Sequence, residues 1–290
     1  MTKQSESKVS DEQQPATGHT RRDVLRLGSL ASLGAVLGSG ALLSLPAAAQ
    51  TPADRQAGGH EAGSMALDQP LNIVMAVYQG GTLLDFAGPS EVFHRLPNTN
   101  VRYASLNGGP VTLEFGVVYG ETERLADIDR ADLLLVPGGP DLSEPTKPEY
   151  LAQIKRLAAG AQHITSVCTG SLVLAAAGVL KGKRSACHWA FVNDLADYGA
   201  IPDPARFVED DNGRFMSGGG VTSGIDFALR VAAKLRGRLN AEFAQLIIEY
   251  DPDPPFRAGH PRVAPPEVMA LAKKKMPGGL KGLQKIPGVI

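Results

Sequence analysis

The chain has 290 residues, of which 43% are hydrophobic, and its formal net charge at pH 7 is −1. This length is enough to bury one sizeable core. Acidic and basic residues are interspersed and leave no basic surface for nucleic acid, so no nucleic-acid partner is expected. The two cysteines, Cys168 and Cys187, are too few for a disulfide framework and lack the spacing of metal ligands, so no metal site is expected either.

Residues 1–49 resemble a bacterial twin-arginine export signal. A polar start is followed by Arg21 and Arg22, an apolar run over 27–45, and a small-residue cleavage site that ends at Ala49. We therefore expect this segment to be removed, which leaves a periplasmic protein without stable membrane association. An uncleaved membrane anchor is the alternative, because the apolar run is long enough to span a bilayer.

Composition divides the rest of the chain into three parts. Residues 50–70 are rich in turn formers and predict a linker, residues 71–255 predict a folded domain, and residues 256–290 predict a tail rich in Pro and Lys. The lysines of the tail indicate a solvated surface, with a membrane-surface or partner-binding role as the alternative.

Strand-like and helix-like segments alternate within the predicted domain. Strands are predicted at 71–78, 101–106, 131–139 and 163–167, around Cys187, and in hairpins at 111–119 and on both sides of 211–213. Helices are predicted to open at Pro89, to end at Gly199, and to span 148–160, 169–177, 221–237 and 240–250. This alternation predicts an α/β domain with a mainly parallel sheet that is covered on both faces.

Cys168 lies where a predicted buried strand turns into a helix. Unpaired amides and the positive end of the helix dipole lower a cysteine pKa at such a point, so the sequence predicts a populated thiolate near neutral pH. The following Thr169, Gly170 and Ser171 are small and leave the sulfur approachable. A buried structural cysteine is the alternative, and it is the favoured interpretation of Cys187.

Two further segments follow predicted strands, at the edge where parallel sheets bind ligands. Asp85 lies after the first strand, and Gly138 and Gly139 follow the "LLLV" strand, where their backbone amides can face an anion. Each of them is also explained as an ordinary cap or turn residue. If the three strands are neighbours, a nucleophile, a carboxyl group and oxyanion donors meet, which is the set that covalent catalysis needs.

The segments "LLVPGG", "ITSVCTGSLVLAAAGVLKGKRSACHW" and "SGGGVTSGIDFALRVAA" resemble the PfpI-type, class I glutamine-amidotransferase-like superfamily. Two other segments, "LLDFAGPSEVF" and "EYDPDPPFRAG", are most similar to its isonitrile hydratase branch. The resemblance covers roughly residues 70–260. It implies a flavodoxin-like three-layer sandwich, a homodimer, and an enzyme without metal or organic cofactor.

The resemblance also implies a small-molecule substrate and roles for individual residues. Isonitrile hydratases add water to R–N≡C and release an N-substituted formamide. The family's nucleophile matches Cys168, its essential partners match Asp85 and Thr169, and its oxyanion amides match Gly138 and Gly139. The implied mechanism is thiolate attack on the isonitrile carbon with a proton from protonated Asp85, which requires a raised carboxyl pKa.

The chain departs from the superfamily pattern in one informative place. Thr169 stands where peptidase-like and glyoxalase-like members have His, so no base adjoins the nucleophile, which counts against amide hydrolysis. His188, in a His-Trp pair on the predicted strand after the elbow helix, is expected to be structural, with a place beside the site or at the dimer contact as the alternative.

Three rival functions remain open. The first is a periplasmic redox or stress protein in which Cys168 is oxidised, and the second is a thiol amidase or deglycase. The third is a regulatory module, because similar domains serve as sensors in AraC-type regulators. Export away from DNA and the short sequence after the domain count against that third function.

Overall fold

The computed structural model describes residues 67–275, and a seven-stranded sheet organises this part of the chain. The strands are β1 (Leu71–Ala76), β2 (Thr99–Ser105), β3 (Val111–Thr112), β4 (Val118–Tyr119), β5 (Glu123–Arg124), β6 (Leu133–Val136), β7 (His163–Val167), β8 (Arg184–Ser185), β9 (Ile201–Pro202), β10 (Phe207–Asp210) and β11 (Phe215–Gly218). The order in the sheet is β10-β11-β7-β6-β1-β2-β5, and every neighbouring pair is parallel except the hairpin of β10 and β11. The predicted α/β class with a mainly parallel sheet is confirmed.

Helices cover both faces of this sheet. They are α1 (Leu83–Phe93), α2 (Pro148–Gly160), α3 (Gly170–Ala176), α4 (Ser223–Arg236), α5 (Arg238–Ile247) and α6 (Pro266–Lys275). One hydrophobic core packs α2 and α3 against the sheet, and a second core packs α1, α4 and α5 against the opposite face. The result is the three-layer sandwich that the resemblance implies.

The sequence of β1 explains why it lies at the centre. Successive side chains of a strand point to opposite faces, so Val74 and Ala76 enter one core while Ile73 and Met75 enter the other. All four side chains are buried, and each of the larger ones contributes about 1.5–3 kcal/mol by leaving water. A near-continuous apolar run is therefore the expected sequence of this strand.

The helix predicted to open at Pro89 begins six residues earlier, at Leu83, and that prediction is wrong. Proline within the helix removes the hydrogen bond that would reach the carbonyl of Asp85. Burial of Phe86 and Phe93 against the sheet compensates for this loss. As a consequence, Asp85 lies in the first turn of α1 and not in a loop.

The segment after α3 also differs from the prediction. The strand β8 ends at Ser185, so Cys187 and His188 lie in the loop that follows it. The predicted helix after this loop is a 3-10 helix, Val192–Tyr198, and it ends as expected at Gly199, whose φ of 74° is left-handed.

Beyond α5, residues 251–261 contain no helix or strand, as their prolines predict, whereas α6 was not foreseen within the predicted tail. The predicted export signal and most of the linker lie outside the described residues. Across 67–275, no helix is both long and apolar enough to cross a membrane.

Candidate active site

The sheet order brings the three predicted site segments together. Strands β1, β6 and β7 are adjacent and parallel, so the segments that follow them meet at one edge of the sheet. The Asp85 carboxylate oxygen Oδ2 accepts a hydrogen bond of 2.9 Å from the amide of Gly138. The Thr169 hydroxyl oxygen lies 2.9 Å from the amide nitrogen of Gly139 and 2.8 Å from its carbonyl oxygen.

Cys168 occupies a strained turn between β7 and α3. Its φ of 60° is in the left-handed region, which a residue with a Cβ rarely adopts. The amide of Cys168 donates to the carbonyl of Gly219 at 2.7 Å, which ties the turn to the loop after β11. The surrounding structure thus holds the thiol at a fixed position, with the side chain 5% exposed.

Two glycines allow the turn to pack so closely. A Cβ on Gly170 would lie 2.0 Å from the carbonyl oxygen of Val136, and a Cβ on Gly138 would lie 2.5 Å from the amide nitrogen of Thr169. Both distances are shorter than any tolerated contact, so side chains at these positions would separate β6 from the nucleophile turn.

The carboxyl group of Asp85 is fully buried, and burial raises its pKa to about 7. The amide of Gly138 and the Cys168 thiol both interact with the carboxyl group and offset part of this effect, whereas Glu114 adds to it. Among the described residues, the second oxygen, Oδ1, has no hydrogen-bond partner. The raised carboxyl pKa that the mechanism requires is therefore present.

The prediction of a lowered pKa for Cys168 is wrong. Burial raises the pKa of this thiol well above its usual value of 9.0, and the nearby Asp85 and Cys187 raise it further. The amides of Val221 and Thr169 act on the sulfur in the opposite direction, but they do not outweigh the loss of solvation. In the resting protein a neutral thiol therefore lies beside a carboxyl group that titrates near neutrality.

The amides of Gly138 and Gly139 already have partners. Each donates to a side chain of the site, the first to Asp85 and the second to Thr169. In this arrangement the glycine turn positions two functional side chains, and its role as an oxyanion hole stays a prediction. The amides that reach the sulfur belong to Thr169 and Val221, and nothing in the sequence singled out Val221.

Within the described residues, His188 forms no hydrogen bond with Cys168, Asp85 or Thr169. Its ring packs beside Trp189 and Phe191, and its Nδ1 accepts a hydrogen bond of 3.2 Å from the amide of Ala190. Partial burial lowers its pKa below 6.5, so the ring is neutral at pH 7. The ring is packed close to Gly220, where a Cβ would lie 2.6 Å from it, so His188 supports the loop that presents Val221 to the sulfur.

A cavity of about 450 Å³ is lined in part by residues that contact the Cys168 turn. Gly219 and Val221, which contact the backbone and the sulfur of Cys168, are part of its wall, and so is Cys187. The sequence pattern did not identify most of the residues that line this cavity. These residues come from the loops after β8, β9, β11 and α5, which are far apart from one another in the chain. In the described part of the chain, no group of three or more His, Cys, Asp or Glu side chains is arranged to hold a metal ion.

Comparison with known proteins agrees with this geometry. The family model described as DJ-1/PfpI matches residues 72–234, which include every site residue named above. The chain belongs to the DJ-1/PfpI family. This membership accounts for the fold.

Three similar proteins illustrate the range of this family. An isonitrile hydratase from Pseudomonas putida is 43% identical over 199 residues, which cover 68% of this chain and 86% of that protein. The crystal structure of a THiJ/PfpI family protein from Pseudomonas syringae is 37% identical with a TM-score of 0.70, and the match covers 77% of this chain and 94% of that one. An HTH-type transcriptional regulator from Pseudomonas aeruginosa is 30% identical over 134 residues, 46% of this chain and 40% of that protein.

Proposed function

We propose that this protein is an isonitrile hydratase, which adds water to R–N≡C and releases an N-substituted formamide with Cys168 as its nucleophile. One observation carries the proposal: a buried thiol and a buried carboxyl group with a pKa of about 7 interact at the nucleophile turn. The 43% identity to the Pseudomonas putida isonitrile hydratase supports the choice of substrate.

The first step joins the thiol to the isonitrile. Ionised Asp85 takes the proton of the Cys168 thiol as the sulfur forms a bond to the terminal isonitrile carbon. Asp85 then gives this proton to the same carbon, and the product is a thioimidate, S–CH=N–R. A carboxyl group with a pKa near the working pH suits both halves of this transfer.

The second step adds water to the thioimidate carbon. Asp85, ionised again, takes one proton from the water, and the imine nitrogen receives it, giving S–CH(OH)–NH–R. The C–S bond then breaks, the hydroxyl proton passes through Asp85 to the sulfur, and the formamide leaves. We assign the orientation of the water or the nitrogen to the Thr169 hydroxyl, which the backbone of Gly139 holds in position.

The same observations favour hydration over the rival functions. A buried, neutral thiol reacts slowly with peroxide, which counts against a redox sensor. Asp85, in the first turn of α1, interacts with the thiol. The residue that follows Cys168 is Thr169 and not a base. Both features suit addition to the isonitrile carbon better than hydrolysis of an amide.

The test is formamide production by purified protein from several isonitriles. Cys168→Ala and Asp85→Asn should each reduce turnover about a thousandfold or more while the circular dichroism spectrum is retained. A Cys168→Ala protein that keeps its activity would contradict the proposal. Activity on amides or glyoxal adducts, with none on isonitriles, would favour the amidase or deglycase function.

We further propose that the enzyme acts in the periplasm as a homodimer. The twin arginines and the cleavage site before Gln50 support export. The dimer rests on the family resemblance, and sedimentation of the purified protein at the monomer mass would contradict it.

A further inference from the structure

The helix α5 is packed with its larger apolar side chains pointing away from the core. Within α5 the buried residues are Ala241 and Ala244, and both belong to the core that α5 shares with α1 and α4. A surface helix normally buries its larger apolar side chains, so this arrangement is the reverse of the expected one. The exposed apolar side chains are Leu239 (78%), Phe243 (51%), Leu246 (76%) and Ile247 (53%).

These four exposed side chains form one continuous surface, which we call the α5 stripe. Their spacing of i, i+4, i+7 and i+8 places them on the same side of the helix. Together they expose on the order of 500 Å² of surface, and a contiguous apolar patch of that size on a soluble protein marks an interaction site. The stripe therefore requires an occupant.

The described part of the chain leaves the α5 stripe uncovered. The segment that directly follows α5, residues 251–275, contains no buried residue and does not reach over the stripe. Residues 276–290 contain two prolines and four glycines, a composition that disfavours a helix able to match the stripe. A second copy of this chain, in contrast, offers a helix with the same apolar spacing.

The charges at the two ends of α5 are complementary to those of an antiparallel second copy. Arg238 begins the helix and Glu249 follows its last turn, and both are exposed. About 16 Å along the helix axis separates these two residues, with Phe243 midway between them. Rotation about a two-fold axis near Phe243 therefore brings Arg238 of each copy to Glu249 of the other, whereas a parallel arrangement would oppose like charges. Among the described residues, Glu249 forms no ion pair that would compete with this contact.

We infer that the α5 stripe is the contact with a second copy of this chain, in which two α5 helices pack antiparallel across a two-fold axis near Phe243. A stable dimer buries about 800 Å² on each partner. The stripe supplies the apolar centre of such a contact, and Arg238, Glu242 and Glu249 supply a charged rim. The contact rests on the proposed homodimer and adds the surface that forms it, and it does not depend on the reaction that the enzyme catalyses.

Sedimentation of the purified protein over a range of concentrations tests this contact. Phe243→Arg and Leu246→Arg should each raise the dissociation constant of the dimer at least about thirtyfold, because each places a charge in the apolar centre. Phe115→Arg is the matched control, since this phenylalanine is 93% exposed in the turn between β3 and β4, and it should leave the constant unchanged. The circular dichroism spectrum should be retained in all three variants, since the replaced side chains are exposed in the single chain. A dimer that survives both stripe substitutions, or an equal effect of Phe115→Arg, would overturn the inference.

Exchange of charges tests the antiparallel orientation. Arg238→Glu and Glu249→Arg each place like charges at both ends of the contact, so each variant alone should have a dissociation constant about tenfold higher at low ionic strength. An equimolar mixture of the two variants should recover the wild-type affinity, because a mixed dimer has opposite charges at both ends. A mixture that dissociates as readily as the separate variants would contradict the two-fold arrangement.

Failure of this contact differs from failure of the proposed hydratase function. A wild-type protein that sediments as a monomer at every concentration would overturn the homodimer and the contact together, whatever its activity on isonitriles. Amide hydrogen exchange that increases in α5 when residues 276–290 are removed, without a change in mass of the assembly, would assign the stripe to that segment and overturn the inference. Absence of formamide production by a dimer that the stripe variants dissociate would overturn the hydratase alone.

Discussion

In the proposed mechanism, the burial of Asp85 and Cys168 determines how the two groups divide the acid–base work. Burial raises the pKa of both groups, but the carboxyl group reaches about 7 while the thiol rises well above 9.0. Near neutral pH the proton therefore resides on sulfur, and an ionised Asp85 is the base that removes it. This order of events differs from the sequence prediction, in which a preformed thiolate attacks.

The pH dependence of activity tests these two pKa shifts. Because Asp85 must be ionised to accept the thiol proton, kcat/KM should rise as the pH increases through about 7 and stay high to beyond pH 9. A lowered thiol pKa, as the sequence predicts, would leave the pair without a proton above pH 7 and would give the opposite result, a fall across pH 7. Initial rates of formamide production between about pH 5 and pH 9 decide between them.

The elements of the fold explain why the site is rigid. Strands β6 and β7 pair in parallel, and α3 starts directly against the carbonyl groups at the end of β6. Only glycine fits at position 170, so the nucleophile turn and the "LLVPGG" segment depend on each other. The chain pattern located both segments, but it could not show that they touch.

Replacement of Gly170 tests this contact. Gly170→Ala places a methyl group 2.0 Å from the Val136 carbonyl oxygen, and we expect a loss of about 3 kcal/mol in the free energy of unfolding. Gly160→Ala is the matched control, because a Cβ at that end of α2 meets nothing within 4 Å, and its effect should be near zero or stabilising. Urea denaturation measures the free energy of unfolding of both variants. Equal midpoints for the two variants would contradict a close contact between Gly170 and β6.

Sequence prediction at the level of elements worked where burial sets the pattern. The runs that became β1 and β6 are apolar because both faces of the sheet are covered, and β7 and α2 were predicted at their observed bounds. It failed at α1, where Pro89 marked a false beginning, and at Cys187, where the strand predicted over the "RSACH" segment ends at Ser185. Packing of Phe86 and Phe93 against the sheet decided the first case, and local propensity does not contain that information.

At the scale of the whole molecule, the strand order assembles the candidate site from segments that no single motif contains. It places residues 85, 138, 139, 168 and 169 together from three segments spread over more than eighty positions of the chain. Parallel topology allowed this meeting to be predicted. Solvation did not follow from the sequence, so the direction of the Cys168 pKa shift and the lining of the cavity required the structure.

The proposed export involves the whole chain, since twin-arginine substrates cross the membrane folded. Replacing Arg21 and Arg22 with Lys should keep the protein in the cytoplasm, because the pathway requires the arginine pair. Cell fractionation followed by immunoblotting measures this, with the unaltered chain as the control. Equal periplasmic amounts of both forms would contradict the proposed localisation.

The covalent bond between Cys168 and the substrate is the central claim, and intact-protein mass spectrometry after rapid acid quench tests it most directly. During turnover, a fraction of the enzyme should gain the mass of one isonitrile molecule, and peptide mapping should place the addition on Cys168. Cys168→Ala should show neither the adduct nor formamide production. Steady formamide production by the wild type together with an adduct on another residue, or with activity retained in Cys168→Ala, would contradict the account.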